Sequence, residues 1–137
     1  MKISRKLEYA CRVMAQLGRC YDRGNMVHIE TLSAAEVIPS NYLVQILNEL
    51  RLGGVIISKR GKQGGYALAK SPHEITLCAI VEAVDPEFLK APFENIGQSG
   101  SKVSQVWGTL RKKMLDDLSS QTLDTLMSED LGSMYHI

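Results

Sequence analysis

Residues 40–69 read SNYLVQILNELRLGGVIISKRGKQGGYALA, and the hydrophobic period of this stretch changes halfway along it. The apolar residues of its first half follow the spacing i, i+3, i+4 and i+7, which predicts one packed helix face: Leu43, Ile46, Leu47 and Leu50. Ser40 is a suitable N-cap for this helix. We expect Gly53 and Gly54 to end it, because a left-handed C-cap favours glycine.

The second half of the stretch has the pattern of a β-hairpin. Residues 55–59 are mostly β-branched and apolar, and residues 66–69 alternate. The glycine-rich, basic segment 60–65 lies between these two runs. Two short strands joined by such a segment predict a hairpin with a basic tip.

The residues before this stretch predict two further helices. The first helix has apolar residues at alternating steps of four and three: Ile3, Leu7, Ala10, Met14, Leu17 and Tyr21. Val27 and Ile29 alternate around His28 and could open a very short strand. Ile29, Leu32 and Ala35 then indicate a brief second helix that ends before Pro39. Two helices separated by a short turn predict a helix-turn-helix. With the hairpin, they predict a mainly α winged helix-turn-helix with a small β-hairpin wing.

The residues after the hairpin predict a fourth helix and a long fifth one. Thr76 can cap the fourth helix, and residues 86–101 are rich in proline and glycine. The fifth helix carries a long apolar stripe: Val103, Val106, Trp107, Leu110, Met114 and Leu118. A lone helix cannot bury such a stripe, so it must pack on the winged helix or on a second copy. We therefore expect a winged-helix domain over 1–85, a linker over 86–101 and, over 102–137, a long helix that packs on that domain or on a second copy, followed by a tail.

Charge is distributed unevenly along the 137 residues. The net charge is +1, but residues 1–75 hold eleven basic and six acidic side chains, whereas residues 76–137 hold five and nine. A basic half joined to an acidic half indicates that one face binds a polyanion.

Membrane and disulfide-rich classes are disfavoured. No apolar run approaches the roughly 18 residues that span a membrane, and the first residues lack the apolar core of a signal peptide. The three cysteines, Cys11, Cys20 and Cys78, form no CxxC pair, which argues against a disulfide framework or a structural zinc site. These features predict a protein of the reducing cytoplasm.

Polar residues of the third predicted helix are candidates for reading DNA bases. They lie off its apolar stripe: Asn41, Tyr42, Gln45, Asn48 and Glu49. The second helix of a helix-turn-helix enters the major groove with its N-terminal part, where an amide side chain can read adenine. A solvated helix face would have a similar composition. The basic hairpin favours base reading.

The hairpin tip brings together Lys59, Arg60, Gly61 and Lys62. An arginine at this place suits a narrow minor groove, whose negative potential attracts it. A flexible, solubilising loop is the alternative. A nucleotide site is discounted, because the pattern GxxxxGK[ST] is absent and the loop joins two strands.

Three segments together resemble the Rrf-type family of bacterial winged-helix repressors, and the terminal residues 135–137 resemble the tail of its cluster-free, CymR-like branch. The three segments are MKISRKLEYACRVM, the run over residues 40–70 that includes the hairpin, and EITLCAIVEAVD. The resemblance implies a homodimer on a palindromic operator in double-stranded DNA, paired through the helix over 102–118. It places four residues on the major-groove helix: Ser40, Asn41, Tyr42 and Gln45. It places Arg60 and Gly61 at the minor groove, and Arg51 near a phosphate or against the wing.

The chain departs from the cluster-binding members of that family. Those members hold three cysteines in the loop before the long helix, whereas residues 85–105 here contain no cysteine or histidine. The matching stretch carries Ser99, Ser101 and Ser104, and serine hydroxyls are poor replacements for the thiolates that a cluster needs. Glu8 stands where some relatives supply an acidic ligand, but one carboxylate does not make a site. We therefore predict no cluster, no other cofactor and no metal site.

The signal that such a regulator senses stays open between a small molecule, a partner protein and thiol oxidation. Cys20 is the candidate redox sensor, because Arg19 and Arg23 lie close in sequence and favour a thiolate. An inert surface thiol is the alternative. Cys11 and Cys78 are expected to pack in the interior.

The leading interpretation is a dimeric DNA-binding repressor, with sulfur or cysteine metabolism as the pathway that the resemblance implies. The alternative is a winged-helix interaction module whose basic wing docks a protein. An enzyme is disfavoured, because the GxSxG-like segment 97–101 is incomplete and lies in no strand-to-helix turn.

Overall fold

The computed structural model describes residues 2–90 and 94–128 and is mostly helical with one antiparallel hairpin, as predicted. The helices and strands are α1 Arg5–Arg19, α2 Ile29–Glu36, α3 Ser40–Leu52, β1 Ile56–Lys59, β2 Gly65–Leu68, α4 Leu77–Val84, α5 Gly100–Ser120 and α6 Asp124–Met127. Short 3-10 helices cover Tyr21–Arg23, Pro72–Glu74 and Pro86–Leu89. No helix in the described ranges is long and apolar enough to cross a membrane.

Side-chain caps and glycines define the ends of several helices. Thr76 Oγ1 accepts a hydrogen bond from the backbone N–H of Ala79 at 3.1 Å, which confirms the predicted cap of α4. Gly54 has φ +79° just after α3 and supplies the expected left-handed residue. The predicted N-cap of α3 was wrong. Pro39 holds that place, and Ser40 is the first helical residue, with its hydroxyl donating to Ser33 Oγ at 3.2 Å.

The core lies between α1, α2, α3 and α4. The predicted stripe of α3 is confirmed, with each of its residues fully buried: Leu43, Ile46, Leu47 and Leu50. In α1 the stripe is shorter than predicted at both ends. Ile3 is 44% exposed because it precedes the helix, and Tyr21 is 37% exposed because it lies in the following 3-10 turn.

The hairpin is anchored to the body at its base. The strands β1 and β2 pair with Ile56 opposite Leu68 and Lys59 opposite Gly65. Val27 exchanges two backbone hydrogen bonds of 2.8 Å with Tyr66. The expected short strand is thus reduced to a single bridge at Val27, because Ile29 already begins α2. Gly65 has φ +128° and lies so close to this bridge that a Cβ would approach the Val27 oxygen to 2.5 Å. The wing base therefore requires glycine at this position.

The long helix α5 begins at Gly100, two residues before the predicted start, and none of its residues is fully buried. Its C-terminal half packs on the core through Leu115 and Leu118. The residues of its N-terminal half that were predicted to be apolar contacts are about half exposed: Val103, Val106, Trp107 and Leu110. This half therefore presents an uncovered apolar stripe to solvent.

After α5 the chain returns to the winged helix. The Leu123 side chain is fully buried, and its backbone N–H donates to the Ile75 carbonyl at 2.8 Å. In α6, Met127 lies against Gly18 of α1, where a Cβ would meet its sulfur at 2.5 Å. The predicted tail beyond residue 128 lies outside the described residues.

Candidate nucleic-acid interface

Among the exposed side chains on the side of α3 opposite the core, we call Asn41, Val44, Gln45 and Asn48 the reading face. Residues three and four apart are neighbours on a helix surface. Asn41 is therefore next to both Val44 and Gln45, and each of these is next to Asn48. The reading face is one contiguous patch of three amides around one aliphatic side chain.

Two contacts with α1 fix the orientation of α3. Lys6 Nζ lies 3.1 Å from Glu49 Oε1 in a half-buried ion pair. The rings of Tyr9 and Tyr42 meet edge to face, with centroids 5.5 Å apart and planes at 89°. The guanidinium of Arg12 stacks on the Tyr9 ring, 4.8 Å from its centroid. These contacts hold the first and last turns of α3 against α1 and leave its opposite side in solvent.

Tyr42 and Glu49 are therefore placed differently from the other polar residues of α3. Both are partly buried, and Tyr42 packs against the core through the contact with Tyr9. Ser40 and Asn41 are exposed at the start of the helix. The base-reading role of Tyr42 stays a prediction. In that role its hydroxyl contacts DNA while its ring stays packed on Tyr9.

Arg51 is exposed in the last turn of α3 and donates from Nη2 to Asn48 Oδ1 at 2.8 Å. This bond joins the C-terminal end of the helix to the reading face. One acceptor of Asn48 is thus engaged, while Asn41 and Gln45 take part in none of the side-chain hydrogen bonds of α3 within the described structure.

The tip of the wing, residues 60–64, is tight and basic. Gly61 has φ +97°, and the Gly64 N–H donates to the Gly61 carbonyl at 3.0 Å. A Cβ on Gly64 would come within 2.1 Å of the Lys59 carbonyl oxygen, so the turn excludes a side chain there. Lys59, Arg60 and Lys62 are exposed and form no ion pair with the described residues. Three cations are available at this tip for an external anion.

Val44 is the residue of this surface that the sequence analysis missed. Its side chain is 53% exposed on the reading face. The signal was present in the sequence, because Val44 lies outside the i, i+3, i+4, i+7 stripe of α3. An exposed aliphatic residue outside the buried face of a helix is available to contact an external apolar group.

The cysteines lie at the ends and the periphery of the core. All three are partly exposed. Burial, and the nearby carboxylate of Glu8, raise the pKa of Cys11 to about 11. A thiol with this pKa stays protonated and unreactive near neutral pH. The predicted packing role therefore suits Cys11. Cys20 borders the core at the end of α1, beside Arg19, whose guanidinium lies 3.5 Å from Glu36.

Comparisons with known proteins agree on one family. A family model described as "Rrf2: Iron-dependent Transcriptional regulator" matches residues 3–129. A protein of Mycobacterium tuberculosis described as an HTH-type transcriptional regulator is 35% identical over 128 residues, 90% of this chain and 79% of that one. CymR, the global cysteine regulator of Bacillus subtilis, superposes with a TM-score of 0.81 at 26% identity, over 95% of this chain and 98% of that one. IscR of T. potens gives a TM-score of 0.76 at 25% identity, over 99% and 97%.

The described residues offer no suitable donor set for the iron named in the family description. Between residues 2 and 90 and between 94 and 128, no three His, Cys, Asp or Glu side chains are grouped to hold a metal ion. Residues 85–105 contain no cysteine or histidine. The three cysteines lie on α1, just after it and on α4. Serine hydroxyls are hard donors that do not replace thiolates on iron–sulfur clusters.

Proposed function

The chain belongs to the Rrf2 family and is a DNA-binding transcriptional regulator rather than an enzyme; within that family, we propose that it is a homodimeric repressor that binds a palindromic operator and holds no iron–sulfur cluster. The observation that carries the proposal is the pairing of an exposed amide-rich face on α3 with an unpaired basic wing tip. The first suits base edges in the major groove, and the second suits phosphates and the minor groove.

Each residue has a role in this proposal. Ser40, Asn41, Tyr42 and Gln45 contact the major groove from the first half of α3. Arg60 and Gly61 probe the minor groove, while Lys59 and Lys62 contact flanking phosphates. Arg51 either contacts a phosphate or braces the wing, and its bond to Asn48 supports a position at the edge of the reading face.

Homodimerisation is proposed from the uncovered stripe of α5. Four of its side chains are about half exposed in the isolated chain: Val103, Val106, Trp107 and Leu110. An apolar stripe of this kind is stable in water only when a second surface covers it. A second copy of α5 offers the same stripe, with Met114 and Leu118 extending the contact. Two-fold pairing accounts for a palindromic operator.

The regulated process is proposed from the similarity to one relative, and three kinds of signal are proposed. The similarity to CymR, named as the global cysteine regulator of its organism, supports control of sulfur or cysteine metabolism. The signal is a small molecule, a partner protein or oxidation of Cys20. We place the protein's action on DNA in the cytoplasm. Protein purified anaerobically with stoichiometric iron and sulfide would contradict the cluster-free part of the proposal.

Selection from a random duplex DNA pool tests DNA binding, with Arg60→Glu in parallel and Lys112→Glu as the control. Lys112 is an exposed cation on α5, so its reversal makes the same charge change away from the wing. We expect the wild type and the control to enrich a palindrome with half-sites about one helical turn apart. We expect Arg60→Glu to lose the enrichment.

The salt dependence of binding separates DNA recognition from protein docking. A dimer with about 6–10 phosphate contacts loses roughly 10³–10⁵ in affinity between about 50 and 200 mM salt. Arg60→Glu removes one contact in each protomer, so the slope of log affinity against log salt falls in magnitude by about 2. Absence of any enriched sequence at low salt, also with cell extract added, would instead favour the protein-interaction module.

A further inference from the structure

One aliphatic side chain, Val44, lies on the reading face and not in the core. Val44 is 53% exposed, whereas the stripe residues on the other side of α3 are fully buried. It lies beside the amides of Asn41 and Asn48, which are three and four residues away and therefore its neighbours on the helix surface. A single exposed valine is ordinary on a protein surface. Here it belongs to the patch that faces DNA in the proposed function.

Two amides beside Val44 are free to bind a base. The side-chain hydrogen bonds of α3 in the described structure join Ser40 to Ser33, Glu49 to Lys6 and Arg51 to Asn48. The amide of Gln45 therefore keeps both its donor and its acceptor. Adenine presents one acceptor, N7, and one donor, the N6 amino group, in the major groove, and a glutamine amide pairs with both.

The same face lacks the usual reader of guanine. Arginine and lysine make the commonest specific contact, to guanine O6 and N7. Every residue of α3 is described, and Arg51 is its only basic one. Arg51 lies in the last turn and is bonded to Asn48. The N-terminal part of the helix, which enters the groove, therefore carries amides and an aliphatic group but no cation.

We propose that Val44 contacts the 5-methyl group of a thymine in each operator half-site, beside an adenine bound by Gln45, so that α3 selects an A·T step. The thymine methyl is the apolar group that a base edge offers in the major groove, and it is the natural partner of an exposed aliphatic side chain. This inference rests on the proposed DNA binding and specifies which base pairs the reading face selects.

Replacing thymine by deoxyuridine tests the contact directly, because it removes the methyl group and leaves every hydrogen-bonding group of the base in place. The operator from the selection is synthesised with one thymine at a time changed to deoxyuridine, and binding is measured at fixed salt. Burial of a methyl-sized group is worth about fourfold in affinity. We expect one position per half-site to weaken binding about fourfold, and both together about fifteenfold.

Val44→Ala shows whether the valine is the group that senses the methyl. The variant should bind the thymine and deoxyuridine operators equally, with a thermal melt close to that of the wild type, because the side chain is 53% exposed and is not a member of the buried core. Leu52→Ala is the matched control. Leu52 is 71% exposed at the C-terminal end of the same helix, so its truncation should leave the thymine preference intact.

The outcomes distinguish failure of the Val44 contact from failure of the proposed DNA binding on which it rests. Specific binding with no deoxyuridine-sensitive position in the half-site would overturn the contact but leave DNA binding standing. A thymine preference that persists in Val44→Ala would assign the methyl to another residue and also overturn the inference. Failure of the wild type to select any sequence would overturn both.

Discussion

Two regions of the molecule contain the same kinds of apolar residue at the same helical spacing: the winged-helix body, which comprises α1–α4 and the hairpin, and the first half of α5. The two regions differ sharply in burial. Leu47 of α3 is fully buried, while Leu110 of α5 is 49% exposed. Across the whole of α5 no residue is fully buried, whereas α1 and α3 each bury a complete stripe. Helical periodicity thus identifies an apolar face but does not say whether the chain itself covers that face.

The difference divides the apolar residues into two groups with separate energetic roles. Those of the body stabilise the protomer through burial, at about 25 cal/mol per Å² of apolar surface. Those of the first half of α5 can contribute a similar amount only after a second surface covers them. Substitutions of matched leucines therefore separate folding from association.

A charge in the α5 stripe is expected to have the largest effect. Leu110→Asp removes a leucine from both copies of the proposed interface, where burial of each is worth about 1.5–3 kcal/mol. The dissociation constant of the dimer should rise at least about 100-fold, as measured by analytical ultracentrifugation. Trp107 is the single tryptophan, so its emission should shift to the red as the dimer dissociates.

The control for this experiment is Lys112→Asp, which changes an exposed residue of the same helix outside the stripe. It should leave association unchanged. If Leu110→Asp sediments like the wild type, α5 is not the dimer contact, and its stripe must be covered by another surface.

Truncation of the buried leucine should have the next largest effect, now on folding. Leu47→Ala leaves a cavity in the core of the body and should lower the free energy of unfolding by about 2–5 kcal/mol. Leu110→Ala, measured at a protein concentration low enough to keep the chain monomeric, should change it by less than about 0.5 kcal/mol. Urea unfolding followed by circular dichroism measures both. Equal losses would mean that α5 is as well packed as the body.

The reactivity of Cys11 tests the junction between the two regions. Cys11 lines a cavity of about 340 Å³ together with Leu77 of α4 and Leu118 of α5. Its pKa is raised from 9.0 to about 11, first by burial and then by Glu8. At pH 8 the folded chain should therefore be alkylated at Cys11 about 100-fold more slowly than the unfolded chain.

The pH dependence of stability follows from the same shift. Because the folded thiol holds its proton more tightly, its contribution to stability is complete below about pH 9 and is lost as the pH rises towards 11.

Peptide mapping by mass spectrometry follows the alkylation of each cysteine. Leu118→Ala should accelerate the labelling of Cys11 but not of Cys20. Rapid labelling of Cys11 in the wild type would show that α5 leaves the body.

The local pattern of the sequence was sufficient to predict most of the body. The stripe of α3, the cap at Thr76, the glycine after Leu52 and the hairpin strands depend on residues near one another in the chain, and each was predicted close to its observed place. The N-cap of α3 was wrong because Ser40 bonds to Ser33 of α2, a contact between helices that spacing along one helix cannot show.

The candidate site was predictable in position but not in orientation. Exposure of Asn41, Gln45 and the wing cations follows from their places off the apolar stripe and at the tip. The packing of Tyr42 on Tyr9 and the bond between Arg51 and Asn48 depend on rotamers and on the contact between α1 and α3. Val44 was overlooked because only the polar residues outside the apolar stripe of α3 were considered as candidates for reading bases.

The return of the chain after α5 has a consequence for synthesis. Leu123 is fully buried in the body and hydrogen-bonded to Ile75, so the core lacks one of its members until the ribosome has passed the end of α5. Domains fold as units during translation. A nascent chain therefore completes its DNA-binding body only after the whole long helix has been made. The order of synthesis ensures that no finished body is released without this helix already attached to it.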